Sequence, residues 1–411
     1  MLNFKSIHKM YVNSENNIPL FIGMYLFLFF GICLFFYSSL YSLLFLFVVM
    51  VVFSPIMRFK FVRYPVLILV FIDLILIYGS KNFYDELGAD LRIYYNIYSL
   101  LQYDPGSGLE FFGKSGEYGW GVVYYFIGKV FPSLNAIQLA ITNVVISFFL
   151  IFLWIETKLI DKVSKNDIGI FYLFLFIFLN ISMLGFLQRQ ALTLGFLLFA
   201  LTARNNRNFV IFTLIACIFH LSSIVVAFFI FLSRWLNFDL KKIISIVFGA
   251  VIFRFILVIV ASYIISVLGV SNITRKLLNF SESGFNITSL RYPILMLLIF
   301  FVSLINIKNI KNYKAEGLQS LFNFMMFSAI FLIIMMGVPL FADRIFMISL
   351  IIYGVYYYFF FYKKYNIFAL LLCFLYLIVF FLEKTNLVGG LPFNDFYWAR
   401  YPIFNEFLDL F

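Results

Sequence analysis

The chain has 411 residues, of which 64% are hydrophobic and 12% charged, with a formal net charge of +11. Soluble domains carry about 25% charged residues, and a mean hydropathy of +1.02 excludes a soluble globular enzyme. Apolar runs of about 18 residues or more recur along the whole length, each enough to cross a bilayer as a helix. The expected fold is all-α, a single polytopic membrane domain over 1–411.

The N-terminal stretch "MLNFKSIHKMYVNSENNIPL" is polar for too long to read as a signal peptide. The first apolar run is therefore expected to be a retained span. About 13 spans follow from hydropathy, near 18–37, 40–57, 64–80, 134–155, 168–186, 189–203, 209–221, 222–233, 243–268, 292–307, 318–338, 345–362 and 366–382. The segment 209–233 has two readings. One is a single span with His220 at mid-membrane; the other is two short helices turning at His220.

Charge decides between them. With two short helices, every basic cluster falls on one face: Lys5/Lys9, Arg58/Lys60/Arg63, Lys158/Lys162/Lys165, Arg204/Arg207, Arg234/Lys241/Lys242, Lys308/Lys311/Lys314 and Lys363/Lys364. A single span would scatter them. Basic residues concentrate in cytoplasmic loops, so the hairpin is adopted. The N-terminus is then cytoplasmic. Three large segments lie outside: a loop over 81–133, a loop over 269–291 and a C-terminal tail over 383–411.

The first outer loop carries "GADLRIYY" and then "GEYGWGVVYYFIGKVF". The second stretch is too short to cross and is rich in aromatic residues. It reads as an interfacial helix opened by Glu117. Asp90 and Tyr94 stand at i and i+4, on one helical face, whereas Arg92 does not. Further along, "GFLQRQALTLGF" places Arg189 at the outer turn between two spans. His220 stands at the hairpin tip, and Arg291 ("TSLRYP") and Arg344 ("FADRIF") lie at the same outer level. Ionisable groups at membrane depth mark functional sites by default. Guanidinium forks suit phosphate oxygens, so these arginines are candidates for a lipid pyrophosphate. Arg189 could equally anchor the turn by snorkelling. Asp73 and Arg254, at similar depths in their spans, are expected to form a structural ion pair.

Several chemistries have no motif here. There is no phosphate-binding G-x-x-x-x-G-K-[ST] loop and no H-E-x-x-H. An Asp-x-Asp anchor for nucleotide sugars is also missing. Two histidines in all argue against a histidine-based metal site, so no metal or other cofactor is expected. The cysteines Cys33, Cys217 and Cys373 are spaced as buried apolar residues rather than as a disulfide framework.

The succession "GADLRIYY … GEYGWGVVYYFIGKVF … QRQALTLGFLLFAL … FHLSSIVV … DRI", over roughly 85–350, resembles the EpsG/Wzy-type bacterial polysaccharide polymerases. The resemblance implies a glycosyltransferase C-like membrane fold in the bacterial inner membrane. It also implies metal-independent joining of undecaprenyl-pyrophosphate-linked repeat units at the periplasmic face. The products would be O-antigen, capsule or exopolysaccharide. The partners implied are lipid-linked donor and acceptor, the bilayer and a chain-length regulator, with no nucleic acid. The expected roles are pyrophosphate binding by Arg189, Arg291 and Arg344, and general-base work or acceptor orientation by Glu117 or His220. Asp90 is the third expected catalytic residue and shapes the sugar pocket with Tyr94, while Arg92, Tyr94 and Trp120 bind sugar. A lipid-linked-oligosaccharide flippase and an O-antigen ligase are the alternative functions. A flippase would be expected to show repeats, and none is evident.

Overall fold

The computed structural model describes residues 18–79, 89–113, 117–179, 184, 188–235, 240–268, 291–315, 317–334, 348–349 and 351–384. The expected outer loop beyond residue 268 and the C-terminal tail lie almost wholly outside these residues. No strand occurs among the described residues. The chain forms two compact units, one of 1–111, 121–191 and 370–411, the other of 112–120 and 192–369.

The first unit begins with α1 (Ile18–Tyr37), α2 (Ser39–Val52) and α3 (Lys60–Gly79). Helices α4 (Ala89–Tyr103), α5 (Pro105–Gly113) and α6 (Tyr118–Val130) follow; the last is the expected aromatic helix, with Glu117 just ahead of it. Asp104 starts α5 by accepting from the Ser107 backbone N–H (3.2 Å) and hydroxyl (2.6 Å). These bonds hold its carboxyl below its ordinary range, the side-chain bond contributing most. They satisfy first-turn groups that have no intrahelical partner.

Helices α7 (Ala136–Lys158) and α8 (Ile168–Phe178) follow. A reciprocal capping box opens α7, with the Asn135 side chain and the Gln138 side chain each bonded to the other's backbone N–H at 2.9 Å. Every residue of α8 but Ile177 is buried. Its tight seat depends on Gly169: a Cβ there would stand 2.1 Å from the Met50 carbonyl oxygen. Ile170 N–H next to it donates to the Ser54 hydroxyl at 3.2 Å.

One buried ionic cluster joins α3, α7 and α8. Arg63 donates to Glu156 at 2.6 Å and to the Met57 carbonyl at 3.2 Å. Tyr64 donates to the same carboxylate at 3.2 Å, and Tyr172 donates to its other oxygen. The side chains of Arg63 and Glu156 are 3% and 10% exposed. Removing one member of a buried pair strands the other charge, at a cost of about 3–5 kcal/mol. Glu156→Gln is therefore expected to lower the thermal unfolding temperature of the detergent-purified protein sharply. An unchanged melting curve would show that Arg63 needs no counter-ion.

In the second unit α9 (Gln188–Leu201) gives way to α10 (Asn206–Phe219) and α11 (Ser223–Trp235); the first residues of α9, through Ala191, belong to the first unit. The helix breaks at His220, whose backbone is extended (φ −154, ψ 112). Phe209 near the start of α10 meets Phe231 and Arg234 near the end of α11, with centroid distances of 6.1 and 4.8 Å. Only antiparallel helices bring those positions together, so 209–233 is the hairpin and not one span.

Helices α12 (Leu240–Leu268) and α13 (Arg291–Asn306), the short α14 (Ile310–Ala315) and α15 (Gln319–Ile334) complete this unit's core. Helix α15 is buried over most of its length and packs on α11, α12 and α13. Asn323 ties it to α11 by donating to the Ser233 carbonyl at 2.8 Å. Asp73 belongs to the first unit and Arg254 to the second, and each is described within its own unit. Arg254 is exposed on α12 and donates to the Ile334 carbonyl at 2.7 Å. Asp73 is fully buried on α3 beside the Ser42 hydroxyl.

The last described segment runs through a π-helical stretch, Tyr357–Tyr362, into α16 (Lys363–Lys384). By length and apolarity Ile351–Ile378 could be one crossing, as could Pro19–Tyr37 and Ala136–Lys158. Yet Asn366 has φ 36, and the Tyr357 hydroxyl donates to the Ala369 carbonyl at 2.8 Å. Twelve residues of straight helix would separate these positions by about 18 Å, so the chain folds back beside Lys363 and Lys364. The turn falls between the stretches expected as spans near 345–362 and 366–382. Shorter apolar helices of 10–17 residues accompany the long ones. Large apolar side chains such as Phe29 (65% exposed), Phe149 (59%) and Phe255 (65%) point outward. Water would penalise such a surface and lipid would not. The architecture is that of an all-helical membrane protein.

Candidate functional site

Glu117 and His220 meet. The imidazole Nδ1 of His220 lies 2.6 Å from Oε1 of Glu117, and the Leu221 backbone N–H donates to the same oxygen at 3.3 Å. Both residues are buried, at 4% and 7% exposed. Glu117 stands immediately before the first turn of α6, where the helix dipole favours a negative charge. His220 stands at the break between α10 and α11, and its carbonyl accepts from Ser223 N–H at 2.9 Å.

Gly119 makes the meeting possible. A Cβ at that position would lie 2.8 Å from Ile218 Cγ2 and 3.2 Å from its carbonyl oxygen. The start of α6 therefore rests directly on the end of α10, two residues before His220.

The geometry sets a polarity for the pair. An ionised carboxylate only accepts hydrogen bonds, so with Glu117 ionised and the imidazole neutral the ring proton is on Nδ1 and the lone pair on Nε2. Nε2 is buried without a hydrogen-bond partner. A carboxylate that fixes one ring nitrogen and leaves the other as an acceptor is the arrangement of a general base with its orienting group.

Arg189, the second residue of α9, is half-buried. Its Nε donates to the Tyr94 hydroxyl at 3.0 Å, and its guanidinium carbon is 5.6 Å from the centre of that ring. The two residues are 95 apart in sequence. Gln188, directly before it, is fully buried and accepts from the Tyr124 hydroxyl. Asn143 donates to that hydroxyl at 2.5 Å. The flanking glutamine of "QRQ" thus has its own partner.

The remaining candidates are placed as follows. Trp120 and Tyr94 are both buried, at 0% and 5% exposed. Arg92 is exposed on α4. Asp90 is the second residue of α4 and Arg291 the first of α13, but their side chains lie outside the described residues. Arg344 lies wholly outside them. Among the described residues no group of three or more His, Cys, Asp and Glu could hold a metal ion.

Sequence reasoning passed over Gln188, Tyr124 and Asn143. A signal was present: Asn143 stands inside the apolar run "AITNVVISFF", where an amide is costly unless bonded.

Compared with protein-family models, residues 66–394 match that of the EpsG family. This chain belongs to the EpsG family. The match takes in every candidate site residue. EpsG proteins are Wzy-type polysaccharide polymerases, so the function is polymerase-type work in polysaccharide synthesis, in a membrane-embedded glycosyltransferase-like protein. No curated protein and no solved structure matches the chain. Among the described residues, a buried acid–histidine pair and an arginine held by a tyrosine are local arrangements with chemistry to offer.

Proposed function

We propose that this EpsG-family protein joins oligosaccharide repeat units carried on undecaprenyl pyrophosphate, at the outer face of the cytoplasmic membrane. The observation that carries the reading is the Glu117–His220 pair, with Nε2 of the histidine unspent. An acceptor sugar hydroxyl attacks the anomeric carbon of the donor chain. The new C–O glycosidic bond forms as the anomeric C–O bond to pyrophosphate breaks. The electron pair departs with the pyrophosphate oxygen, and the hydroxyl proton passes to His220 Nε2. Glu117 orients the ring and stabilises the imidazolium that results. Arg189 binds the pyrophosphate as its charge develops, and Arg291 and Arg344 share that role. Asp90 and Arg92 bind sugar hydroxyls.

The outward orientation is supported by charge and by the hairpin. With 209–233 as two short helices, the basic clusters share the cytoplasmic side, and about 13 spans result. Such short elements are tolerated in a membrane when packed in protein.

The test is complementation of a strain lacking this gene. The expected result is single repeat units at the cell surface in the null strain and a ladder of chain lengths once the gene is restored. A null strain with no lipid-linked units outside would make the protein a flippase. Full-length polymer retained on the carrier lipid would make it a ligase.

A further inference from the structure

We infer that Gln188, Tyr124 and Asn143 are positioning residues for Arg189: a buried hydrogen-bond chain through them fixes the start of α9 and so aims the guanidinium at its anionic ligand. The inference rests on the pyrophosphate role proposed for Arg189.

The chain has a forced direction. Asn143 Nδ2 donates to the Leu139 carbonyl on its own helix at 3.2 Å and to the Tyr124 hydroxyl at 2.5 Å. Both amide hydrogens are then spent. The tyrosine hydroxyl, having accepted, donates its single hydrogen onward to Gln188 Oε1. All three side chains are 0% exposed, so the chain itself touches no substrate and can act only through what it holds.

What it holds is the first residue of a helix. The first turn lacks the backbone bonds that stiffen the interior, so its position depends on side-chain anchors. Gln188 is anchored to α6 and, through the tyrosine, to α7. Arg189 is anchored by its Nε to Tyr94 on α4. Successive residues of α9 are therefore fixed from three neighbouring helices of the first unit. Apolar residues at these three positions would be cheaper to bury. Bonded polar groups instead specify one register, and the residue that gains from it is the arginine beside them.

The experiment uses the full-length protein in nanodiscs, with farnesyl pyrophosphate as the probe. Gln188→Leu and Tyr124→Phe should each weaken binding by about tenfold. Because both break the same bond, the double variant should bind no more weakly than either single one. In an Arg189→Ala background neither change should weaken binding further. Wild-type affinity in Arg189→Ala would overturn the pyrophosphate role itself. Weak binding in Arg189→Ala with wild-type affinity in both Gln188→Leu and Tyr124→Phe would overturn only the positioning role. So would a full-sized loss from Gln188→Leu that persists without the arginine, which would mark a general structural defect. Tyr124→Phe keeps the ring in place and carries the test if Gln188→Leu does not fold.

Discussion

His220→Ala is expected to abolish the polymer ladder, lowering the rate of chain extension by about 10²–10⁴-fold, the usual worth of a positioned general base. The expectation rests on polarity within the pair. Glu117 accepts from Nδ1–H and from Leu221 N–H, which leaves Nε2 as the basic atom. Glu117→Gln should lose most of the activity as well. A glutamine can present its own N–H₂ to Nδ1, which moves the ring proton to Nε2 and removes the base. The two substitutions act on one unit, so the double variant should be no slower than His220→Ala alone. The measurement is polymer length and initial rate in membranes from the null strain, normalised to protein level. A full ladder from His220→Ala would remove histidine from the reaction. Normal rates in Glu117→Gln with a dead His220→Ala would leave the base in place and deny it an orienting carboxylate.

Arg189→Ala is expected to slow extension by about 10²–10³-fold, the scale found when one charge-stabilising donor is removed from a reacting centre. Arg189→Lys should recover little of this. Lysine keeps the charge but loses the planar fork and cannot donate from an Nε to Tyr94. Tyr94→Phe separates anchoring from chemistry: it keeps the ring under the guanidinium and removes the acceptor, so it should cost only a few-fold. Farnesyl pyrophosphate affinity should fall in the same order. Wild-type rates in Arg189→Lys would show that a point charge suffices and that the fork is not used. Wild-type rates in Arg189→Ala would reduce this arginine to a turn anchor.

Three of the candidates are legible from residue type alone. Glu117, His220 and Arg189 stood out because charged and polar groups are rare in so apolar a chain, and each is costly there. Their partners were less legible. The structure places the Tyr94 hydroxyl on Arg189 and buries Trp120, and residue type alone shows neither. Depth along a helix says nothing about which neighbour a side chain faces.

The sequence by itself determined that the chain is helical and that it lives in a membrane, and its charge pattern set the orientation expected of its loops. Those properties are local: apolar run length, backbone self-satisfaction in lipid and the placement of lysine and arginine. It also anticipated the hairpin at His220, through charge alone. Only the tertiary structure decided that Glu117 meets His220 across 103 residues and that Tyr94 meets Arg189 across 95. Such meetings depend on how helices rotate and pack against one another. In a chain whose helix faces are nearly all Phe, Leu and Ile, no periodicity marks the face that a neighbouring helix will cover.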